Sequence, residues 1–114
     1  MSKEDGSVIS RPFSAVDSTR EIVLAPNHTF EIVLPSNPTT GYDWTLEVDH
    51  PEVVRKISQQ FDADSSGRVG VGGNTTWVLR TMNSGNAILK FSYNRSWEKD
   101  TPPTRVVIFT MSVR

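Results

Sequence analysis

The sequence predicts an all-β protein, a β-sandwich of about seven or eight antiparallel strands. Three observations lead there. Short apolar runs alternate with polar residues at period two, and turn composition recurs at intervals of roughly 8–15 residues. No segment keeps the 3.6-residue period of an amphipathic helix. Purely parallel sheets need helical crossovers, so hairpins and antiparallel pairing follow from the lack of helices. The 114 residues make one domain with room for a core.

Residues 1–14 are polar and charged without periodicity, and read as a loose tail, with the folded domain over 15–114. Ordered structure is expected from Glu21-Ile22-Val23-Leu24, and Ala25-Pro26-Asn27-His28 has turn composition. Phe30, Ile32 and Leu34 then alternate with Glu31 and Val33, the pattern of a half-buried strand. Trp44, Leu46 and Val48 alternate with Thr45, Glu47 and Asp49 in a second, which ends at His50-Pro51. The stretch from Val53 to Phe61 is weaker. Val54-Arg55-Lys56-Ile57 suits a short helix in isolation, while its strand neighbours favour a strand.

Asp62 to Thr75 is a long Asp/Ser/Gly connection. Thr76 to Met82 follows as a strand, with Trp77 and Leu79 on one face, and Trp44 and Trp77 are expected in the core. Asn83-Ser84-Gly85-Asn86 has hairpin-turn composition. Leu89, Phe91 and Tyr93 share a face of the next strand. Asn94 to Thr104 is a second polar connection, and Arg105 to Val113 closes the chain with Val107, Phe109, Met111 and Val113 on one face.

Composition excludes several functions. A formal charge of −1 gives no electrostatic case for nucleic acid or an anionic membrane. With no cysteine there is no disulfide, thiol catalysis or cysteine-held zinc. His28 and His50 both fall in turns, the ordinary place for a surface histidine. No carboxylate pair, nucleophile–base pair or metal cluster assembles, so neither enzymatic activity nor a cofactor is expected. No apolar run approaches a membrane span, and Met1 to Ser10 does not read as a signal peptide. The expected location is cytoplasmic or otherwise intracellular, and the expected state a monomer.

If successive strands cross the sandwich and return, the unusual connections all fall at one end. The first is Asn37-Pro38-Thr39-Thr40-Gly41-Tyr42. Pro38 fixes its own φ and pushes Asn37 towards an extended backbone, while Gly41 permits a positive φ at the return into the next strand. Thr39 and Thr40 then stand at the tip of a short, restricted loop, with Tyr42 as an aromatic buttress. The second is Gly70-Val71-Gly72-Gly73. It lacks the Lys-Ser/Thr and the helix of a phosphate-binding loop. Its glycines suit either a flexible loop or a close approach of two backbones. The third is Arg95-Ser96-Trp97, where an indole among charges has little core to join, and Trp and Arg are hot-spot residue types. Together they make a recognition face for a concave partner.

These three motifs, in this order and spacing, resemble the chagasin family of cysteine-peptidase inhibitors over roughly residues 19–114. The third departs from the family's usual proline, here Ser96. The stiffness lost with it is worth about 0.5–1 kcal/mol. Arg11-Pro12-Phe13 matches the usual third-motif spelling but precedes the whole sandwich, and is read as coincidence. The resemblance implies an immunoglobulin-like β-sandwich that reversibly blocks papain-like cysteine peptidases, cathepsin L-like and also cathepsin B-like. It places Thr39 and Thr40 over the catalytic cysteine and histidine, the glycine-rich loop along the non-primed cleft, and Trp97 on the primed side. The rival reading is a non-inhibitory immunoglobulin-like binding or adhesion module that turns the same loops on another partner.

Overall fold

A computed structural model of the chain describes residues 12–37, 41–63, 72–95 and 102–114. Among the described residues, seven strands make two sheets. They are β1 (Glu21–Leu24), β2 (Thr29–Ser36), β3 (Tyr42–Val48), β4 (Val54–Ala63), β5 (Gly73–Thr81), β6 (Gly85–Arg95) and β7 (Arg105–Val113). One sheet has the order β1-β7-β6-β3 and the other β2-β5-β4. The predicted alternation is what buries the core. Phe30, Ile32 and Leu34 of β2 and Trp77 and Leu79 of β5 face Leu89 and Phe91 of β6 and Phe109 and Met111 of β7, all fully buried. Burial of each such side chain stabilises the fold by about 1.5–3 kcal/mol relative to exposure. Trp44 and Trp77 both lie in this core, their rings edge-on at 6.4 Å. The weak stretch after Val53 is a strand, not a helix.

Two features depart from expectation. β1 pairs parallel with β7, from Glu21 opposite Thr110 to Leu24 opposite Val113, while the other pairings between these seven strands are antiparallel. A parallel pair needs a long crossover, and here almost the whole domain intervenes between its two strands. The second concerns residues 12–14, assigned above to the tail. Phe13 is 6% exposed and belongs to the core, edge-on to Phe30 at 6.0 Å. Its N–H donates to the Glu31 carbonyl and its own carbonyl accepts the Val33 N–H, both at 2.8 Å, along the outer edge of β2. Ser14 N–H then donates to the Asp17 carboxylate at 2.9 Å, and a 3₁₀ turn over Ala15–Thr19 carries the chain to β1 in the other sheet. The domain therefore includes Phe13. One aromatic with a place in the core outweighs a polar neighbourhood.

His28 lies just before β2 and His50 between β3 and β4, where its Nδ1 is 3.1 Å from Glu52 Oε2 in an exposed pair. Both lie in connections between strands; His50 is exposed, while His28 is half-buried and not a plain surface histidine.

Candidate functional site

Antiparallel register decides which connections meet. Ser36, the last residue of β2, is opposite Gly73, the first of β5, and Gly73 is also opposite Ala63, the last of β4. In the other sheet Tyr42 is opposite Arg95, and Tyr93 opposite Arg105. The β2–β3, β4–β5 and β6–β7 connections therefore leave from one end of the sandwich. At the other end, Asn27 N–H donates to the Thr81 carbonyl, Met82 N–H to the Val53 carbonyl, and Asn83 Nδ2 to the Glu52 carbonyl. The predicted segregation of unusual and plain connections is present in the strand ends.

The first stem is held from several sides. Asn37, half-buried, donates its backbone N–H to the Tyr93 hydroxyl at 3.0 Å, which ties the end of β2 to β6 in the opposite sheet. Two residues earlier, the Pro35 carbonyl accepts the Trp44 indole N–H, also at 3.0 Å. Ser36 and Thr75 share a buried hydroxyl–hydroxyl bond of 2.7 Å between β2 and β5. On the return side Gly41 has φ 86°, the left-handed region that L side chains disfavour. Tyr42 then stacks on Tyr93 at 5.3 Å and 19°, and Tyr93 leans on Trp44 at 4.6 Å. The Arg95 guanidinium carbon lies 4.7 Å from the centre of the Tyr42 ring, a cation–π contact that joins the start of β3 to the end of β6.

The second stem touches the first. A Cβ on Gly72 would fall 2.3 Å from the Ser36 carbonyl oxygen and 3.0 Å from Asn37 Cβ, so only glycine allows this approach. Of the two readings of the glycine-rich stretch, close backbone approach applies at Gly72. Gly73 begins β5 between β2 and β4. Of the predicted site residues, the structure thus assembles Asn37, Gly41, Tyr42, Gly72, Gly73 and Arg95 at one end. Pro38, Thr39, Thr40, Gly70, Val71, Ser96 and Trp97 lie outside the described residues.

Sequence reasoning missed Tyr93 and Trp44 as supports of this end and read them only as strand residues. A signal was available for Tyr93. It ends the otherwise apolar face of Leu89 and Phe91, and a hydroxyl there needs a partner. The bonds from Trp44 to Pro35 and from Ser36 to Thr75 depend on how the sheets stack, which alternation does not specify. Among the described residues no group of three or more His, Asp or Glu is placed to hold a metal ion. The arrangement has a recognition surface's chemistry: aromatic and backbone groups braced in one geometry.

Comparisons with known proteins bear on the family and the fold. A family model described as the chagasin family of peptidase inhibitors, I42, matches residues 23–113. Amoebiasin-2 of Entamoeba histolytica is 31% identical over 91 residues, which span 77% of this chain and 72% of that protein. The crystal structure of a cysteine protease inhibitor from Entamoeba histolytica superposes with a TM-score of 0.79 at 20% identity, covering 94% of this chain and 95% of that one. An inhibitor solved in complex with falcipain-2 superposes with a TM-score of 0.67 at 15% identity, covering 100% of this chain and 96% of that one. At these identities the two solved structures establish the likeness of fold.

Proposed function

The chain belongs to the chagasin family of peptidase inhibitors, and on that footing we propose a reversible, tight-binding inhibitor of papain-like cysteine peptidases that seats its three loops in the active-site cleft. One chain acts on one peptidase. The partner class is suggested by the similar inhibitor bound to falcipain-2. Cathepsin L-like enzymes, and also cathepsin B-like ones, are the partners this face suits.

The supporting observation is the bracing of the first stem, with Asn37 N–H bonded to Tyr93 and Gly72 packed against Ser36. Sub-nanomolar affinity corresponds to better than about −12 kcal/mol. An interface of roughly 1,600 Å² reaches that only when little is reorganised on binding. Stems tied across both sheets meet this condition before the peptidase arrives. Gly41 at φ 86° turns the chain back into β3, a return that in this reading keeps the loop from lying extended through the cleft, where a peptide bond would be cut. Thr39 and Thr40, between Pro38 and Gly41, face the catalytic cysteine and histidine in this reading. Residues 70–73 follow the non-primed cleft, and Arg95, Ser96 and Trp97 meet the primed side.

The deciding experiment titrates active papain with the purified chain while a small peptide substrate is hydrolysed. Stoichiometric loss of activity at nanomolar concentration, recovered on dilution, is expected. Full activity at micromolar inhibitor, repeated with a cathepsin L-like enzyme, would hand the same loops to a non-inhibitory binding module. Given inhibition, Trp97→Ala is expected to leave association unchanged and to speed dissociation at least tenfold, since truncating an interface anchor acts mostly on the off-rate. Unchanged dissociation would remove Trp97 from the interface.

A further inference from the structure

An asparagine followed two residues later by serine or threonine, with any residue but proline between, is the acceptor motif for an N-linked oligosaccharide. It occurs at Asn27-His28-Thr29, Asn74-Thr75-Thr76 and Asn94-Arg95-Ser96. Asn37-Pro38-Thr39, in the first loop, has the same outline, but its proline closes it. The three open motifs fall at different places in the fold. Asn27, exposed and at φ 68°, lies in the turn between β1 and β2, at the end away from the loops. Asn74 is the second residue of β5 and Asn94 the last but one of β6, so both stand at the loop end.

Of those two, Asn74 is the better presented. It is exposed, whereas Asn94 is half-buried and Ser96 lies outside the described residues. Thr75 is 3% exposed and turned to the core, so Asn74 and Thr76 share the outer face of the sheet. The carboxamide and the hydroxyl that an acceptor must offer together therefore lie on one side. Among the described residues the Asn74 carboxamide makes no hydrogen bond, whereas that of Asn83, outside any such motif, donates to the Glu52 carbonyl at 2.7 Å. One residue back, Gly73 is opposite both Ser36 and Ala63, and Gly72 packs on the Ser36 carbonyl. A group on Asn74 Nδ2 is thus rooted one strand position from the stems of the first and second loops.

We propose that Asn74 is an N-glycan acceptor and that a glycan there closes the loop end to peptidases, an inference whose second half rests on the inhibitor reading above. In the transfer, Asn74 Nδ2 bonds to the anomeric carbon of a polyprenyl diphosphate-linked oligosaccharide. The bond from that carbon to the diphosphate oxygen breaks, the lipid diphosphate leaves, and the nitrogen gives up one proton. The product is bulky and hydrated. An inhibitory face needs close contact over roughly 1,600 Å², so a sugar chain rooted beside it costs affinity although no loop residue has changed. A glycan on Asn27, at the far end, leaves the face open. One sequence then has two states, open where no glycosylating enzyme meets it and closed after modification.

The test compares the full chain secreted behind a leader from a eukaryotic host with the same chain made unmodified in bacteria. Asn27→Gln with Asn94→Gln leaves Asn74 as the single open motif. Peptide mapping by mass is expected to find the glycan on Asn74, and a bare Asn74 overturns the inference. Titration of papain is expected to give this variant an inhibition constant at least about tenfold higher when secreted than when made in bacteria. Adding Thr76→Ala destroys the motif without touching Asn74, and is expected to bring the secreted chain back to the bacterial value. An occupied Asn74 with an unchanged constant overturns the closing role. A bacterial chain that spares papain rejects the inhibitor reading and the closing role with it, while the mapping still decides whether Asn74 is an acceptor.

Discussion

The Tyr93 hydroxyl accepts the Asn37 N–H at 3.0 Å while the ring lies between Tyr42 and Trp44. Tyr93→Phe separates these roles, because the stack remains and only the acceptor is lost. The half-buried Asn37 N–H then lacks this partner, a loss worth about 0.5–1.5 kcal/mol. If the first loop relaxes without this bond and must regain its present geometry to bind peptidase, that loss falls mainly on affinity. The inhibition constant is expected to rise about three- to tenfold, with a urea midpoint only slightly lower. Titration of papain beside equilibrium unfolding measures both quantities. An unchanged inhibition constant would mean the stem holds its geometry without Tyr93.

At the scale of elements, what could be read from the sequence depended on where the signal was carried. Alternation along Phe30–Leu34, Trp77–Leu79 and Val107–Val113 named both the strands and their inward faces, because one face of each is solvated. The return from the first loop was legible at Gly41, because glycine acts through its own backbone and has the positive φ expected of it. The parallel pairing of β1 with β7 carries no local signal, since it joins opposite ends of the chain. Phe13 was hidden for a related reason. It is one buried ring in a polar stretch, and its value depends on Phe30 and the free edge of β2 being in place. Phe13→Ala is accordingly expected to destabilise the domain by about 3–4 kcal/mol, far more than a change in a loose tail. Chemical denaturation measures it, and a cost below about 1 kcal/mol would return residues 12–14 to the tail.

Across the whole molecule, the sandwich separates two tasks by about the length of a strand. At the end away from the loops, the fully buried Thr81 donates its hydroxyl to the Ala25 carbonyl at 2.7 Å and accepts the His28 N–H at 2.9 Å. Thr81→Val keeps the shape and deletes both side-chain bonds, so the turn between β1 and β2 is left with its backbone bonds to residue 81 alone. The expected cost is about 2 kcal/mol of stability, two ordinary hydrogen bonds or one buried group left unsatisfied. Nothing in that turn reaches the stems of the three loops, so the folded fraction should inhibit papain with an unchanged constant. Tyr93→Phe is its mirror, moving inhibition with little change in stability. The two sites lie at opposite ends and share no bonded partner, so the double variant is expected to add the two effects to within about 0.5 kcal/mol. A double-mutant cycle on both readouts measures this. A larger coupling would mean that strain at one end reaches the other through the continuous core of Trp77, Phe91 and Phe109, whose rings meet edge-on at 4.7 and 5.6 Å. The loop end would then depend on the packing of the entire sandwich, and not on its own braces alone.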